Sequence, residues 1–109
     1  MSYFHSAQGR GEKELVPGAR TRTFWGDRIL LSLVEIDANT EVPLHTHPHE
    51  QAGMVIEGEM EMGVAGEVRT LKPGDMYIIP GGVPHYAKCG DTPGKALDIF
   101  SPVREEFKY

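Results

Sequence analysis

Turn residues interrupt this chain so often that no long helix fits between them. Thirteen glycines and eight prolines are spread over 109 residues, and they fall between runs of strand formers rather than in tracts, so they mark turns and not disorder. The runs lie at 20–25, 28–37, 53–57, 59–64, 68–71, 76–80 and 95–100. Residues 59–64 alternate polar and apolar, which predicts a half-buried strand, while 28–37 reads as a strand buried on much of both faces. Gly26-Asp27, Ala38-Asn39-Thr40, Ala65-Gly66-Glu67, Pro73-Gly74-Asp75 and Asp91-Thr92-Pro93-Gly94 supply the turns, with Asn39 suited to a left-handed conformation. Helical spacing is confined to a single turn at 103–107. Many short strands with this punctuation predict an all-β sandwich or barrel.

The length suits one domain with one core, spanning 1–109 and led by a polar arm at 1–18. Tyr3 and Phe4 in that arm are candidates to dock on a core or on a partner subunit. A net charge of −5 without any Lys/Arg cluster argues against nucleic acid or a membrane surface as partner. No apolar stretch reaches the length of a membrane span. The single Cys89 excludes an internal disulfide and suits a reducing compartment. The opening Met1-Ser2-Tyr3-Phe4-His5 has neither the basic start nor the apolar run of a leader, so the expected address is the cytoplasm.

One stretch carries chemistry. Three of the five histidines fall within Pro43-Leu44-His45-Thr46-His47-Pro48-His49-Glu50-Gln51. Alternate residues of an extended strand face one way, so His45 and His47 can aim two imidazoles at one point. Converging neutral imidazoles are half of a transition-metal site. The competing readings, a surface histidine cluster or an expression tag, fit poorly with an internal position flanked by strand-like sequence. Glu50 would point opposite to His45 and His47 if the extended conformation persists. His49 shares the ligands' parity, but Pro48 interrupts the register, and a solvated rim position is the expectation for it. His85 follows a Gly81-Gly82-Val83-Pro84 turn able to aim it inward.

Two stretches together resemble the paired signatures of the cupin superfamily. The first runs Asn39, five residues, His45-Thr46-His47, three residues, Gln51, six residues, Gly58. The second runs Gly74, five residues, Pro80-Gly81-Gly82, two residues, His85, three residues, Cys89. The spacing agrees throughout, with Asn39 in place of a glycine, Gln51 in place of glutamate and Cys89 in place of asparagine. The resemblance covers 39–89 and implies a minimal double-stranded β-helix, or jelly-roll, barrel. It makes His45, His47, Gln51 and His85 the ligands of one divalent first-row ion: Ni, Zn, Mn or Fe. Four neutral ligands leave the charge of such an ion uncompensated, which favours an anionic oxygen donor and Lewis-acid chemistry over redox cycling.

The run Leu97-Asp98-Ile99-Phe100-Ser101-Pro102-Val103-Arg104, taken with His-Pro-His-Glu-Gln, resembles the KdgF-type cupins of pectin and alginate breakdown. That group converts 4,5-unsaturated monouronates, the products of polysaccharide lyases, to linear keto sugars. The resemblance makes Asp98, Phe100 and Arg104 active-site residues. Asp98 and Phe100 would share one strand face, with Leu97 and Ile99 on the other. A carboxylate there can shuttle protons, and Arg104 can hold a substrate carboxylate in a forked pair. The implied partner is a small sugar acid. Two other readings stand beside it: a metal-dependent dioxygenase of an enolisable or diketone substrate, and a non-catalytic small-anion-binding module. A homodimer is expected, because a barrel of this size leaves strand edges and an apolar outer face. Of the remaining residues, Met54, Met60, Met62 and Met76 read as core filler, and Tyr77, Tyr86 and Trp25 as core or barrel-mouth residues. Cys89 reads as a buried small hydrophobe, and Arg20 and Arg22 as wet-face strand residues.

Overall fold

The computed structural model describes residues 2–109. Ten strands follow one another: β1 Lys13–Val16, β2 Ala19–Trp25, β3 Leu30–Ile36, β4 Glu41–His45, β5 Glu50–Glu57, β6 Met60–Val64, β7 Glu67–Leu71, β8 Met76–Ile79, β9 His85–Lys88 and β10 Gly94–Ser101. A single 3-10 turn, Glu105–Phe107, follows a cis Ser101–Pro102 peptide. The strands form two antiparallel sheets. One has the order β1-β2-β3-β10-β5-β8 and the other β4-β9-β6-β7. Among the described residues, no helix is long and apolar enough to cross a membrane.

The turn chemistry read from the sequence appears where expected. Asn39 has φ 56°, and the β6–β7 hairpin turns on Ala65 and Gly66, with φ of 50° and 86°. Two successive positive-φ residues match the right-handed twist of the flanking strands. Three expectations change. Lys13–Val16, inside the segment read as a polar arm, pairs with β2 as a strand. β3 alternates buried and half-buried residues instead of being covered on both faces. Met76 does not fill the core: it is 73% exposed, because β8 is an edge strand whose Met76 and Ile78 point outward. Met60 and Met62 are buried as expected, and so is Cys89.

Cross-strand register sorts the inner face of the larger sheet into rows. Thr21, Val34, Ala96 and Val55 form one row, and Ala19, Ile36 and Gly94 form the row beside it. With Met60 and Cys89 from the other half of the molecule, the apolar members of these rows make the core. The row on the far side of Val34 and Ala96 changes character: Thr23, Ser32, Asp98, Gly53 and Tyr77 lie side by side across β2, β3, β10, β5 and β8. Beyond it come Leu30, Phe100, Gln51 and Ile79. One end of the barrel is thus closed by hydrocarbon. The polar row, whose burial demands partners, lies between two largely apolar ones. The candidate site is built around that polar row.

Candidate metal centre and substrate cavity

His45 ends β4, and His85 begins β9 directly opposite it. A register shift between Val42 and His45, where Pro43 has no N–H to offer the ladder, brings the two rings to a centroid separation of 4.3 Å. The chain then leaves the smaller sheet and crosses to the larger one through Thr46–His49. His47 sits in that crossing, 4.9 Å from the His85 ring, and is buried. Gln51 is already in β5, so it meets the histidines from the opposite wall. Strand parity had assumed one extended run from His45 to Gln51. Here Gln51 arrives through a change of sheet, and Glu50 faces solvent because its β5 neighbour faces inward.

The imidazole nitrogens are divided between two tasks. In each of the three rings Nδ1 meets a backbone carbonyl two residues away: His45 with Pro43 at 2.8 Å, His47 with His49 at 3.0 Å, and His85 with Val83 at 2.8 Å. An N–H donated at Nδ1 leaves Nε2 as a bare lone pair, which is the tautomer a metal needs. The three rings offer ligand atoms that all lie within 4.8 Å of one another. His85 Nε2 is buried without a hydrogen-bond partner, and the Gln51 Oε1 lies 3.0 Å from His47 Nε2. Burial lowers the His85 pKa to about 4 and lowers that of His47 too, with the positive Arg104 adding to both. Neutral rings are the ligating form. An orphaned nitrogen, fixed tautomers and a convergent amide oxygen fit a metal ion. His49 stands outside this cluster, its ring 5.7 Å from that of His47.

The cluster opens on a cavity of about 360 Å³ lined by His45, His85, Gln51, Tyr77, Asp98, Phe100, Arg104 and Phe107 among others, within the size range of small-molecule sites. Asp98 is buried. Burial pushes its pKa up to about 6, against the opposing pull of the Tyr77 hydroxyl, the Gln51 amide and Arg104. Phe100 packs edge-on against His47 at 5.4 Å. Arg104 stacks its guanidinium 3.9 Å from the Phe107 ring centroid and 5.1 Å from that of Phe100, while its Nε donates to Glu106 at 2.8 Å. Delocalised cations tolerate such stacking well. The fold therefore brings His45, Gln51 and His85 together with Asp98, Phe100 and Arg104 around one space, with His47 packed against Phe100.

Two residues at this cavity escaped the sequence reading in any specific role. Tyr77 donates its hydroxyl to Asp98 Oδ1 at 2.5 Å, and the negative charge there adds to burial in raising its pKa. Phe107 carries Arg104 and is tied back to β2 through Thr23 Oγ1, which donates to its carbonyl at 2.5 Å. A parity argument puts Tyr77 on the face of Ile79, but only the pairing of β8 with β5 brings it near Asp98. No spacing signal marks Phe107. Arg20 and Arg22 lie outside the site, paired with Glu12, Glu35 and Asp37.

Residues 32–100 match the family model described as a cupin domain, and the chain belongs to that family. Its relatives narrow the placement. The chain is 29% identical over 97 residues to the pectin degradation protein KdgF of Dickeya dadantii, covering 87% of this chain and 88% of that one. The structure of KdgF from Halomonas sp. matches with a TM-score of 0.89 at 26% identity, covering 97% and 98% of the two chains. Within the cupins, the chain is similar to KdgF over nearly its whole length. The dimethylsulfoniopropionate lyase DddQ of Ruegeria pomeroyi is 35% identical over 78 residues, 71% of this chain. The chain spans only 39% of that lyase's length.

Proposed function

We propose that this cupin acts in pectin degradation, opening 4,5-unsaturated monouronates and converting them to linear keto sugars. The observation that carries the reading is the meeting of Asp98 and Arg104 with the histidine cluster in one cavity. Its resemblance to a pectin degradation protein over nearly its whole length supports the same substrate class.

The reaction is an isomerisation that needs one proton moved. The hemiacetal hydroxyl at C1 loses its proton, the bond from C1 to the ring oxygen breaks to leave an aldehyde, and the C4=C5 enol becomes a ketone as C4 gains a proton. A divalent ion held by His45, His47, Gln51 and His85 supplies Lewis acidity toward sugar oxygens. Asp98 takes the proton from the hydroxyl and delivers it to C4. Its elevated pKa suits both halves of that exchange near neutrality. Arg104 holds the uronate carboxylate in place of Glu106, whose carboxylate it now binds. Phe100 and Phe107 keep that guanidinium against the wall and give the sugar ring an apolar surface.

The test follows the ultraviolet absorbance of lyase-generated unsaturated galacturonate with metal-replete protein, in a sealed cell with an oxygen electrode. Loss faster than the enzyme-free control, without oxygen uptake, is expected. Unaccelerated loss refutes this substrate, and oxygen uptake moves the assignment to a dioxygenase.

A further inference from the structure

We infer that Tyr77 is a positioning residue that holds Asp98 in its working orientation by reaching across Gly53. The inference rests on the reading of Asp98 as the proton-moving group and adds a residue that reading does not contain. Asp98, Gly53 and Tyr77 are direct cross-strand neighbours on β10, β5 and β8. Gly53 between them has no side chain. A Cβ placed there would collide with both Asp98 Oδ1 and the Tyr77 ring. The empty position is thus what allows the phenol to lie over the middle strand and donate to Asp98 Oδ1 at 2.5 Å.

Packing alone does not explain the hydroxyl, because a phenylalanine ring would cover Gly53 equally well. Nor does another hydroxyl on the row stand in for it. Ser32, the neighbour of Asp98 on the other side, is paired with Thr21 Oγ1. With Oδ1 held by Tyr77, the rotation of the carboxylate at the cavity wall is restricted. Charge-assisted bonds of this kind fix geometry as well as contributing energy, and catalytic efficiency depends steeply on such placement.

The experiment uses the full metal-loaded chain. Tyr77→Phe is expected to lower kcat on unsaturated galacturonate by about 10- to 100-fold, the usual scale for supporting residues, with KM and metal content unchanged. Gly53→Ala should reproduce the loss by separating the pair. Proton NMR gives a readout that needs no substrate. A downfield hydroxyl resonance should be present in the wild type, absent in Tyr77→Phe and moved upfield in Asp98→Asn. Wild-type kcat in Tyr77→Phe overturns the inference. A hydroxyl resonance indifferent to Asp98→Asn overturns it as well. If the wild-type protein does not act on the uronate, the substrate reading fails, and the resonance still decides whether Tyr77 holds Asp98.

Discussion

Asp98→Asn should stabilise the metal-free protein while abolishing its proposed activity. Burial raises the Asp98 pKa from its ordinary 3.8 to about 6, so the folded state binds its proton more tightly than the unfolded chain does. Unfolding free energy therefore falls as pH rises from about 4 to about 6, and the whole penalty is present above that. Its size is about 3 kcal/mol, from 1.36 kcal/mol for each tenfold change in proton affinity. Asparagine keeps an oxygen for the Tyr77 hydroxyl but brings an NH2 group that needs an acceptor. That requirement reduces the net gain to about 0–2 kcal/mol. For a domain near this size, each kcal/mol moves Tm by roughly 4–8 °C. The assay is urea unfolding of EDTA-treated wild type and variant at about pH 4.5 and about pH 7.5. The advantage of the variant should be small at the lower pH and approach its full value at the higher. A variant less stable than wild type at about pH 7.5, or a difference independent of pH, refutes the account of Asp98 as a carboxylate held ionised at a cost.

Metal loading should stabilise the protein by about 2.7 kcal/mol at a free ion concentration of 100 times Kd. His85→Ala should remove that gain, as read by thermal melts with and without chelator; an undiminished gain would place the ion elsewhere. Arg104→Lys keeps the charge but loses the fork and the flat stacking against Phe107. It should therefore raise KM for the uronate by about 10-fold or more, the cost of roughly one charge-assisted hydrogen bond, and an unchanged KM would remove Arg104 from carboxylate binding. The outward rows Leu31-Ile99-Ala52-Ile78 and Leu33-Leu97-Met54-Met76 run across four neighbouring strands. A second copy of the chain is expected to cover them, because closed two-fold pairs are the commonest assembly. Light scattering should report a dimer that Ile78→Glu with Leu97→Glu splits, and a monomeric wild type would refute this.

Much of the candidate site was legible before folding. The alternating histidines, the Gly-Gly-x-Pro approach to His85 and the Asp98/Phe100 parity are local properties. Strand geometry turns such patterns into directions without reference to the rest of the chain. Gln51 shows the limit of that logic. The cupin resemblance points to it and parity along one extended run prefers it to Glu50, yet His45 and Gln51 lie in different sheets, and the crossing at Thr46–His49 is what makes them face each other.

What the sequence determined by itself was therefore the list of short elements, their turns and the chemical character of their inward faces. Each is governed by φ/ψ preference and by a period of two. Asn39 and Ala65-Gly66 take the left-handed backbone such turns require, and Cys89 goes inside as a small hydrophobe. Only the tertiary structure decided which strands are neighbours. That choice put Tyr77 across Gly53 from Asp98 and tied Phe107 to β2 through Thr23. It also left Met76 on an exposed edge and recruited Lys13–Val16 into the larger sheet. The Tyr77–Asp98 and Thr23–Phe107 contacts join residues far apart in the chain. Their formation depends on packing the whole barrel at once, and no local pattern encodes them.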